Sequence, residues 1–522
     1  MLANRMNAFG WKIPRFREAP ALTFLRSFLA LALLSAAPPS FAEEIHLSLD
    51  AAVRSAVEKN LELRVESYNP AISGTEVRKA MGIYNPRINV LADYRGEYSS
   101  LDTSGTFIDR RRFFDADFST DFLLSTGATA SAAFNNLWGR RTSGANLDLG
   151  ISPSWFVEPK LSLSLTQPLL KGFGKEVTEQ GITVAKFGKE SSLLQWRNTA
   201  IATVSNVRDQ YFALVKAREN LRTRLAALAA IKEVHDGNQA RVKAGVLASV
   251  ELLDSEFGVA QREVDLLAAQ KNVRDASDRL RSTVQYPLGA ELVPAEPIMA
   301  EPGDFSEESA METALRTRPD LGIARANLKT QEFNARVAKN AALPSLALTG
   351  SAGLTAVGSG YFDTLSDLAS MDTPFWSIGI SFAYPIGNDA AEASLTASRL
   401  RARQSDVQVR SLEDSIRLDV RASLRALDTA LLQIASATKG VELGEARLES
   451  FVKRQKVGLA VTKDILQAEA DLTAARETLA SARADYQGAV TRFWRSTGEL
   501  LERQGIRIDD AVIDTLAWKD TR

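Results

Sequence analysis

Residues 454–486 read RQKVGLAVTKDILQAEADLTAARETLASARADY, and this stretch decides the fold. After Gly458 the large apolar residues keep a seven-residue repeat: Ile465, Leu472, Leu479 and Tyr486 share one position, and Phe493 continues it. Ala468, Ala475, Ala482 and Ala489 fill the position three residues further on. A large side chain facing alanine lets helices approach closely, and a sustained heptad implies a left-handed supercoil. One such repeat would suit any core stripe; an unbroken series suits a coiled coil.

Working outward, the same pattern occurs earlier in the chain. Leu252, Val259, Leu266, Val273 and Leu280 take the large position, and Ser255, Arg262, Ala269 and Ala276 the small one. A shift of 213 lays Arg208 on Arg421, Lys243 on Lys456, Gly245 on Gly458, Leu253 on Leu466 and Glu256 on Glu469 without a gap. A shift of 258 lays residues 47–90 on 305–348, so that Ala56 meets Ala314, Leu63 meets Leu321, Arg78 meets Arg336 and Pro86 meets Pro344. Pro168 corresponds to Pro385. This fixed proline and glycine punctuation reads as a duplication with pseudo-symmetry. No proline interrupts about 175–242 or about 390–456. At 1.5 Å per residue each segment would reach roughly 100 Å as a helix.

Between the helical segments lie alternating stretches. Leu161, Leu163 and Leu165 interleave with Ser162, Ser164 and Thr166; Ile378, Ile380 and Phe382 interleave with Ser377, Gly379 and Ser381. Ile88 and Val90, and Leu346 and Leu348, alternate likewise with polar neighbours. Alternation suits a barrel wall with one face to lipid and one to a polar lumen, and suits a half-buried soluble sheet equally well. The first strand region, residues 86–168, is about twice the length of the second, residues 344–385. Its surplus holds a hairpin signal near 113–136: Phe114, Phe118 and Phe122, then Ser125-Thr126-Gly127, then a further run to Phe134. The strand parity lets this hairpin extend a cap or enlarge the wall.

Residues 1–42 read as a signal peptide. Arg5, Lys12, Arg15, Arg17 and Arg26 precede an apolar run over 28–37, and Ser40-Phe41-Ala42 supplies small residues at a cleavage site. The mature chain divides into a first repeat, residues 43–300, with strands about 86–168 and helices about 175–286. A second repeat, residues 301–502, has strands about 344–385 and helices about 390–498, and residues 503–522 form a C-terminal tail. The chain has 63 Lys+Arg against 64 Asp+Glu and no cysteine. That balance does not suit nucleic acid. Without cysteine there is no disulfide and no acylated cysteine, so packing must stabilise the exported chain.

The ordered set LSLDAAVRSAVEKN…GIYNP (residues 47–86), LSLTQPLLKGFG (161–174), RVKAGVLASVELLDSE (241–256) and the opening stretch at 454–486 resembles the TolC family of outer-membrane efflux and secretion channels. The resemblance covers about 45 to 500. It implies an α+β membrane protein: a long α-helical coiled-coil periplasmic tunnel plus a trimeric β-barrel, with an internal two-fold repeat. Four or more strands per protomer would close a shared barrel around a homotrimer, 12 strands at four from each copy. The implied setting is the outer membrane of a Gram-negative bacterium with a periplasmic extension. Its partners would be outer-membrane lipid, a periplasmic adaptor (membrane fusion) protein and an inner-membrane pump, in a tripartite efflux or type I secretion system. A passive porin and a non-channel periplasmic coiled-coil adaptor are the alternative readings.

The resemblance also implies a periplasmic gate where the helical hairpins converge. Asp464 falls at the first acidic ring position, Gln467 at the second, and Arg483 at an arginine that ties neighbouring hairpins. Glu251 and Asp254 are the corresponding acids of the first repeat. Gly245 and Gly458 mark the hairpin turns, where positive φ is needed. Arg241, Lys243, Arg454 and Lys456 either dock an adaptor or complement the C-terminal dipoles of the long helices. Pro86, Pro168, Pro344 and Pro385 mark strand–helix junctions, and Pro70 predicts a kink in the first repeat only. No catalytic, metal-binding or cofactor-binding pattern is present: His46 and His235 stand far apart, and no phosphate-binding glycine loop opens a helix.

Overall fold

The computed structural model describes residues 44–100, 108–144, 154–287, 291–295 and 306–506. The segment read from the sequence as a signal peptide and the tail beyond 506 lie outside these residues.

The described chain opens with β1 (Glu44–Leu47), followed by α1 (Leu49–Lys59) and α2 (Leu61–Met81). Ser48 accepts from the Ala51 N–H and Asn60 from the Leu63 N–H, so each helix has its own cap and the pair bends between them. Pro70 is buried inside α2, which continues on both sides of it. Strands β2 (Arg87–Ser100), β3 (Ile108–Leu123), β4 (Thr129–Gly144) and β5 (Ser154–Pro168) come next. They lead into α3 (Lys175–Thr178), the long α4 (Gln180–Lys243) and α5 (Ser249–Val284). The uninterrupted helix expected from about 175 is therefore divided: the backbone leaves helical geometry at Glu179, whose carboxylate accepts from the Tyr84 O–H.

After β6 (Glu291–Pro294) a second series of helices and strands follows, with two strands and an intervening helix where the first has four strands. It comprises α6 (Glu307–Thr317), α7 (Pro319–Ala341), β7 (Ser345–Thr355), α8 (Tyr361–Ala369), β8 (Pro374–Ala383), α9 (Asp389–Lys456) and α10 (Thr462–Thr497), closed by α11 (Leu500–Arg503). Pro319 starts α7 at a position where its missing N–H costs nothing. Ala56 and Ala314, and Leu63 and Leu321, are all buried at their equivalent places.

Six strands form one antiparallel sheet in the order β2-β3-β4-β5-β7-β8, and β1 pairs in parallel with β6. Six strands per chain lie within the share of four or more that the resemblance implies. The Phe-rich hairpin β3–β4 lies within the sheet, between β2 and β5, because its two-residue alternation continues that of both neighbours.

Two apolar cores hold the helices. One joins Leu47, Ala52, Val53 and Ala56 to Val207, Tyr211, Leu214, Leu280 and Leu292. The other joins Ala314 and Leu321 to Ile416, Val420, Leu427, Tyr486 and Phe493. Trp494 packs against both. Beside it the buried Arg208 guanidinium lies 4.9 Å from the Trp494 ring centroid, and its Nε donates to Thr491 Oγ1 at 2.9 Å. Burial lowers the Arg208 pKa to about 10, against the opposing pull of Asp209 and Asp50. In α10 the heptad residues Ile465, Leu472, Tyr486, Phe493, Ala468, Ala482 and Ala489 are buried, with Leu479 and Ala475 half-buried. Gly258 marks a close approach of α5 to α10: a Cβ there would stand 2.6 Å from Leu466 Cδ2.

The turn of the β3–β4 hairpin docks on the strand–helix junction. Gly174 N–H donates to Thr126 O at 3.0 Å, and Gly127 has φ +87° with its absent Cβ only 2.3 Å from Gly172 O. Gly127→Ala is therefore expected to cost about 2–3 kcal/mol. The unfolding midpoint of the purified protein should fall, whereas Gly96→Ala, which meets nothing within 4 Å, should leave it unchanged.

Candidate functional site

Two regions carry functional geometry: the faces of the sheet and the tips of the helical hairpins. The register assigns every strand residue to a face. Ile88, Val90 and Tyr94 on β2 share a face with Phe118 and Phe114 on β3, and with Phe134 and Trp138 on β4. The same face continues through Leu161, Leu163 and Leu165 on β5, Leu348 and Leu354 on β7, and Trp376, Ile378, Ile380 and Phe382 on β8. Trp376, Ile378 and Ile380 are 76%, 73% and 73% exposed, so nothing in the described chain covers that end of the face. The opposite face carries Asn89, Asp93, Arg95, Asp115, Asp117, Asp121, Asn135, Lys160, Ser162, Thr349 and Ser377. Across that face Arg95 Nη1 pairs with Asp115 Oδ2 at 2.7 Å, and Asn89 Nδ2 donates to Asp121 Oδ2 at 2.9 Å.

At the end opposite the helices, α8 folds back onto the apolar face. The Tyr361 ring stacks on Trp138 with centroids 5.5 Å apart, while Phe362 stays 82% exposed. All four junction prolines sit at the helix end: Pro86 and Pro344 directly precede β2 and β7, Pro168 closes β5, and Pro385 follows β8. Asn340 clamps two of these junctions, accepting from the Gly172 N–H at 2.7 Å and donating to Leu170 O at 3.1 Å.

The hairpin tips have matching turns. Gly245 and Gly458 have φ of +75° and +77°. The residue after each glycine donates back to the arginine carbonyl five positions earlier: Val246 N–H to Arg241 O at 3.0 Å, and Leu459 N–H to Arg454 O at 2.9 Å. The tips are also joined to one another. Arg241 donates to the Gln455 and Lys456 carbonyls at 3.4–3.5 Å, so it serves the C-terminus of α9, not of its own helix. Lys243, Arg454 and Lys456 are exposed.

Two carboxylates converge on the N-terminus of α10. Asp464 Oδ2 accepts from the Val461 N–H at 3.2 Å, and Glu251 Oε2, from the other hairpin, accepts from the Thr462 N–H at 2.8 Å. Asn238 Nδ2 donates to Thr462 Oγ1 at 2.8 Å. Both acids thus neutralise orphan donors and the positive end of the helix dipole. Asp254 is exposed, and Gln467 donates to Asp471 at 2.8 Å. Arg483 is exposed, has no hydrogen bond or ion pair among the described residues, and stands roughly 28 Å along α10 from Asp464.

Sequence reasoning missed a ladder of charges deeper in the same seam. Arg262 pairs with Glu469 at 2.7 Å, their side chains 12% and 4% exposed, and Thr473 Oγ1 donates to the other Glu469 oxygen. Arg262 reaches Asp265 at 3.7 Å, Asp265 meets Arg224 at 2.9 Å, and Arg224 grips Glu477 through two bonds of 2.6 and 3.0 Å. The signal was the arginine at a small heptad position; it interrupts the alanine seam because a carboxylate from α10 faces it. Among the described residues no cluster of His, Cys, Asp and Glu could hold a metal ion, and no helix is long and apolar enough to cross a membrane.

Comparison with known proteins bears on both regions. The profile of the outer membrane efflux protein family matches residues 53–284 and 310–499. The outer membrane efflux protein BepC of Brucella suis is 23% identical over 366 residues, covering 70% of this chain and 77% of its own length. The outer membrane protein TolC of Vibrio cholerae is 23% identical over 398 residues, covering 73% and 88%. Among solved structures, the V. cholerae outer membrane protein VceC superposes with a TM-score of 0.61 at 14% identity, over 86% of this chain and 96% of that one. The Campylobacter jejuni CmeC outer membrane channel gives 0.59 at 17%, over 89% and 90%. The paired helical hairpins and the amphipathic sheet are thus a shared fold, and the two profile matches span most of both halves. The chain belongs to the outer membrane efflux protein family and is an efflux channel of the outer membrane.

Proposed function

We propose that three copies of this chain assemble into one duct, their sheets closing a shared β-barrel and their helices a periplasmic tunnel. The carrying observation is a sheet with a largely apolar, exposed face and two edges, β2 and β8, that are unpaired among the described residues, beside hairpins of roughly 100 Å. Backbone groups in lipid must be paired within the protein, so an open sheet needs neighbours to close it. With β2 and β8 antiparallel, a third-turn rotation that sets β8 of one copy on β2 of the next satisfies both edges. A passive porin has no use for such hairpins, and a soluble adaptor has none for the apolar face. The two separate stretches matched by the family profile also support the reading of an internal two-fold repeat.

In this reading the apolar face meets outer-membrane lipid and the hairpin tips meet a periplasmic adaptor coupled to an inner-membrane pump. Val246, Leu253 and Phe257 on one tip and Val457 and Leu459 on the other are each more than 60% exposed, beside Lys243, Arg454 and Lys456. Arg241 is already committed to α9, so adaptor docking rests on the other three cations. The tips also form the gate. Three copies of Asp464, with Glu251 and Asp254 behind them, would lower the potential in a narrow opening and attract cations; Gln467 adds no charge. Arg483, without a partner among the described residues, is free to pair with a neighbouring copy. The Arg262–Glu469 ladder fixes the register of the hairpins in the closed state.

In planar bilayers, Asp464→Asn, which keeps an acceptor for the Val461 N–H, should lower cation selectivity, and Arg483→Ala should raise ion conductance. Unchanged selectivity in the first together with unchanged conductance in the second would remove the gate assignment. In unfolding measurements, Arg262→Ala or Glu469→Ala alone should cost about 3–5 kcal/mol, because each strands a buried charge. Replacing both with Leu and Met should recover most of that loss; a pair as unstable as either single variant would contradict the ladder.

A further inference from the structure

We propose that the β3–β4 hairpin is a full-height wall element, so that the assembled barrel has 18 strands and a lumen as wide as the helical tunnel below it. The inference rests on the three-copy assembly and adds to it the number of strands and the width of the pore.

Three independent features place the hairpin in the wall. The first is pairing: β3 is registered to β2 from Arg87↔Asp121 to Ser100↔Ile108, and β4 to β5 from Thr129↔Thr166 to Arg141↔Ser154, both without a bulge. A hairpin that capped the mouth or plugged the lumen would pair on one side at most. The second is facing: Phe114, Phe118, Phe134 and Trp138 continue the apolar face, and Asp115, Asp117, Ser119 and Asn135 the polar one. A hairpin folded into an aqueous lumen would put those aromatic rings in water. The third is height. The turn between β3 and β4 lies at the strand–helix junctions, where Gly174 N–H donates to Thr126 O and Thr126 Oγ1 donates to Gln167 Oε1 at 2.8 Å. The hairpin therefore spans the sheet from the junctions to the opposite rim.

Geometry then sets the width. With strands about 4.8 Å apart and tilted about 40°, 12 strands close at a radius of about 12 Å and 18 strands at about 18 Å. The cross-section inside the backbone grows about 2.2-fold. Each chain offers four helical columns: α4, α9, and the stacked pairs α2 with α5 and α7 with α10. Twelve columns packed about 9–10 Å apart close at a radius of about 17–19 Å. A six-stranded share thus matches the wall to the tunnel, whereas a four-stranded share would narrow the duct at the membrane. The added lumen surface is polar, with Asp115, Asp117, Asp121 and Asn135 turned to the same face as Asp93 and Arg95. The widened segment therefore favours large, hydrated cargo.

Parity makes the hairpin removable. β2 and β5 run antiparallel, so deleting residues 108–144 leaves them able to pair, with residues 101–107 and 145–153 as their connection. The test is image reconstruction of the full chain and of the deletion variant in lipid nanodiscs, with subunit number read by native mass spectrometry. The expected result is three copies in both, with 18 wall strands in the full chain and 12 in the variant. Three copies with 12 wall strands and the hairpin outside the wall would overturn this inference alone. Any subunit number other than three would overturn the assembly it rests on. If the variant does not fold, the strand count of the full chain still decides.

Discussion

Every strand of the sheet has two rows of backbone hydrogen-bonding groups, and in lipid no water exists to satisfy a row left open. That constraint governs the architecture. Inside the chain it is met by long, bulge-free antiparallel registers from β2 to β8. At β2 and β8 the outer rows have no partner among the described residues, and the same two strands carry some of their most exposed apolar side chains. An edge of this kind is a liability in water and a joint in a membrane assembly. The apolar face and the open edges therefore ask for the same environment, and that agreement carries more weight than either feature alone.

The helices obey a different logic. In water their apolar residues can be hidden only against one another, and the large-against-alanine heptad does so with little volume to spare. Where the alanine pattern breaks at Arg262, a buried carboxylate on α10 compensates. Such pairs add little net stability, yet they penalise misaligned helices, since a slipped register strands a charge. The first hairpin also completes the ends of the second: Arg241 closes the carbonyls of α9, and Glu251 closes the N-terminus of α10. The second tip is therefore not finished by its own residues alone, and movement of the first hairpin must break bonds that terminate it.

Much of this was written locally in the sequence. Heptads, turn glycines and junction prolines are short-range signals: Gly245 and Gly458 stand where the chain reverses, and the four prolines where helix and strand meet. The β3–β4 hairpin was visible as alternation, but its place inside the sheet was not, because strand parity alone allows two topologies. Other features depend on partners far along the chain. β1 and β6 are four-residue strands paired across about 250 residues of chain, and α8 is a nine-residue helix whose Tyr361 meets Trp138 on β4, far earlier in the chain. The Arg241 and Glu251 contacts cross some 210 residues, so periodicity carried no trace of them. The break at Glu179 depends on Tyr84, again a distant partner.

Closure between copies is the claim on which the rest depends, and a chain without native cysteine allows it to be tested directly. Cysteine in place of Asn89 on β2 can be combined in turn with cysteine in place of Ser377, Gly379 or Ser381 on β8, all on the polar face. A disulfide needs Cβ atoms about 3.5–4.5 Å apart, so only strands that pair between copies will link. Oxidation in outer membranes should give, for at least one combination, covalent species ending at three chains. Absence of links in all combinations, or a series ending at two chains, would contradict a barrel closed by three copies.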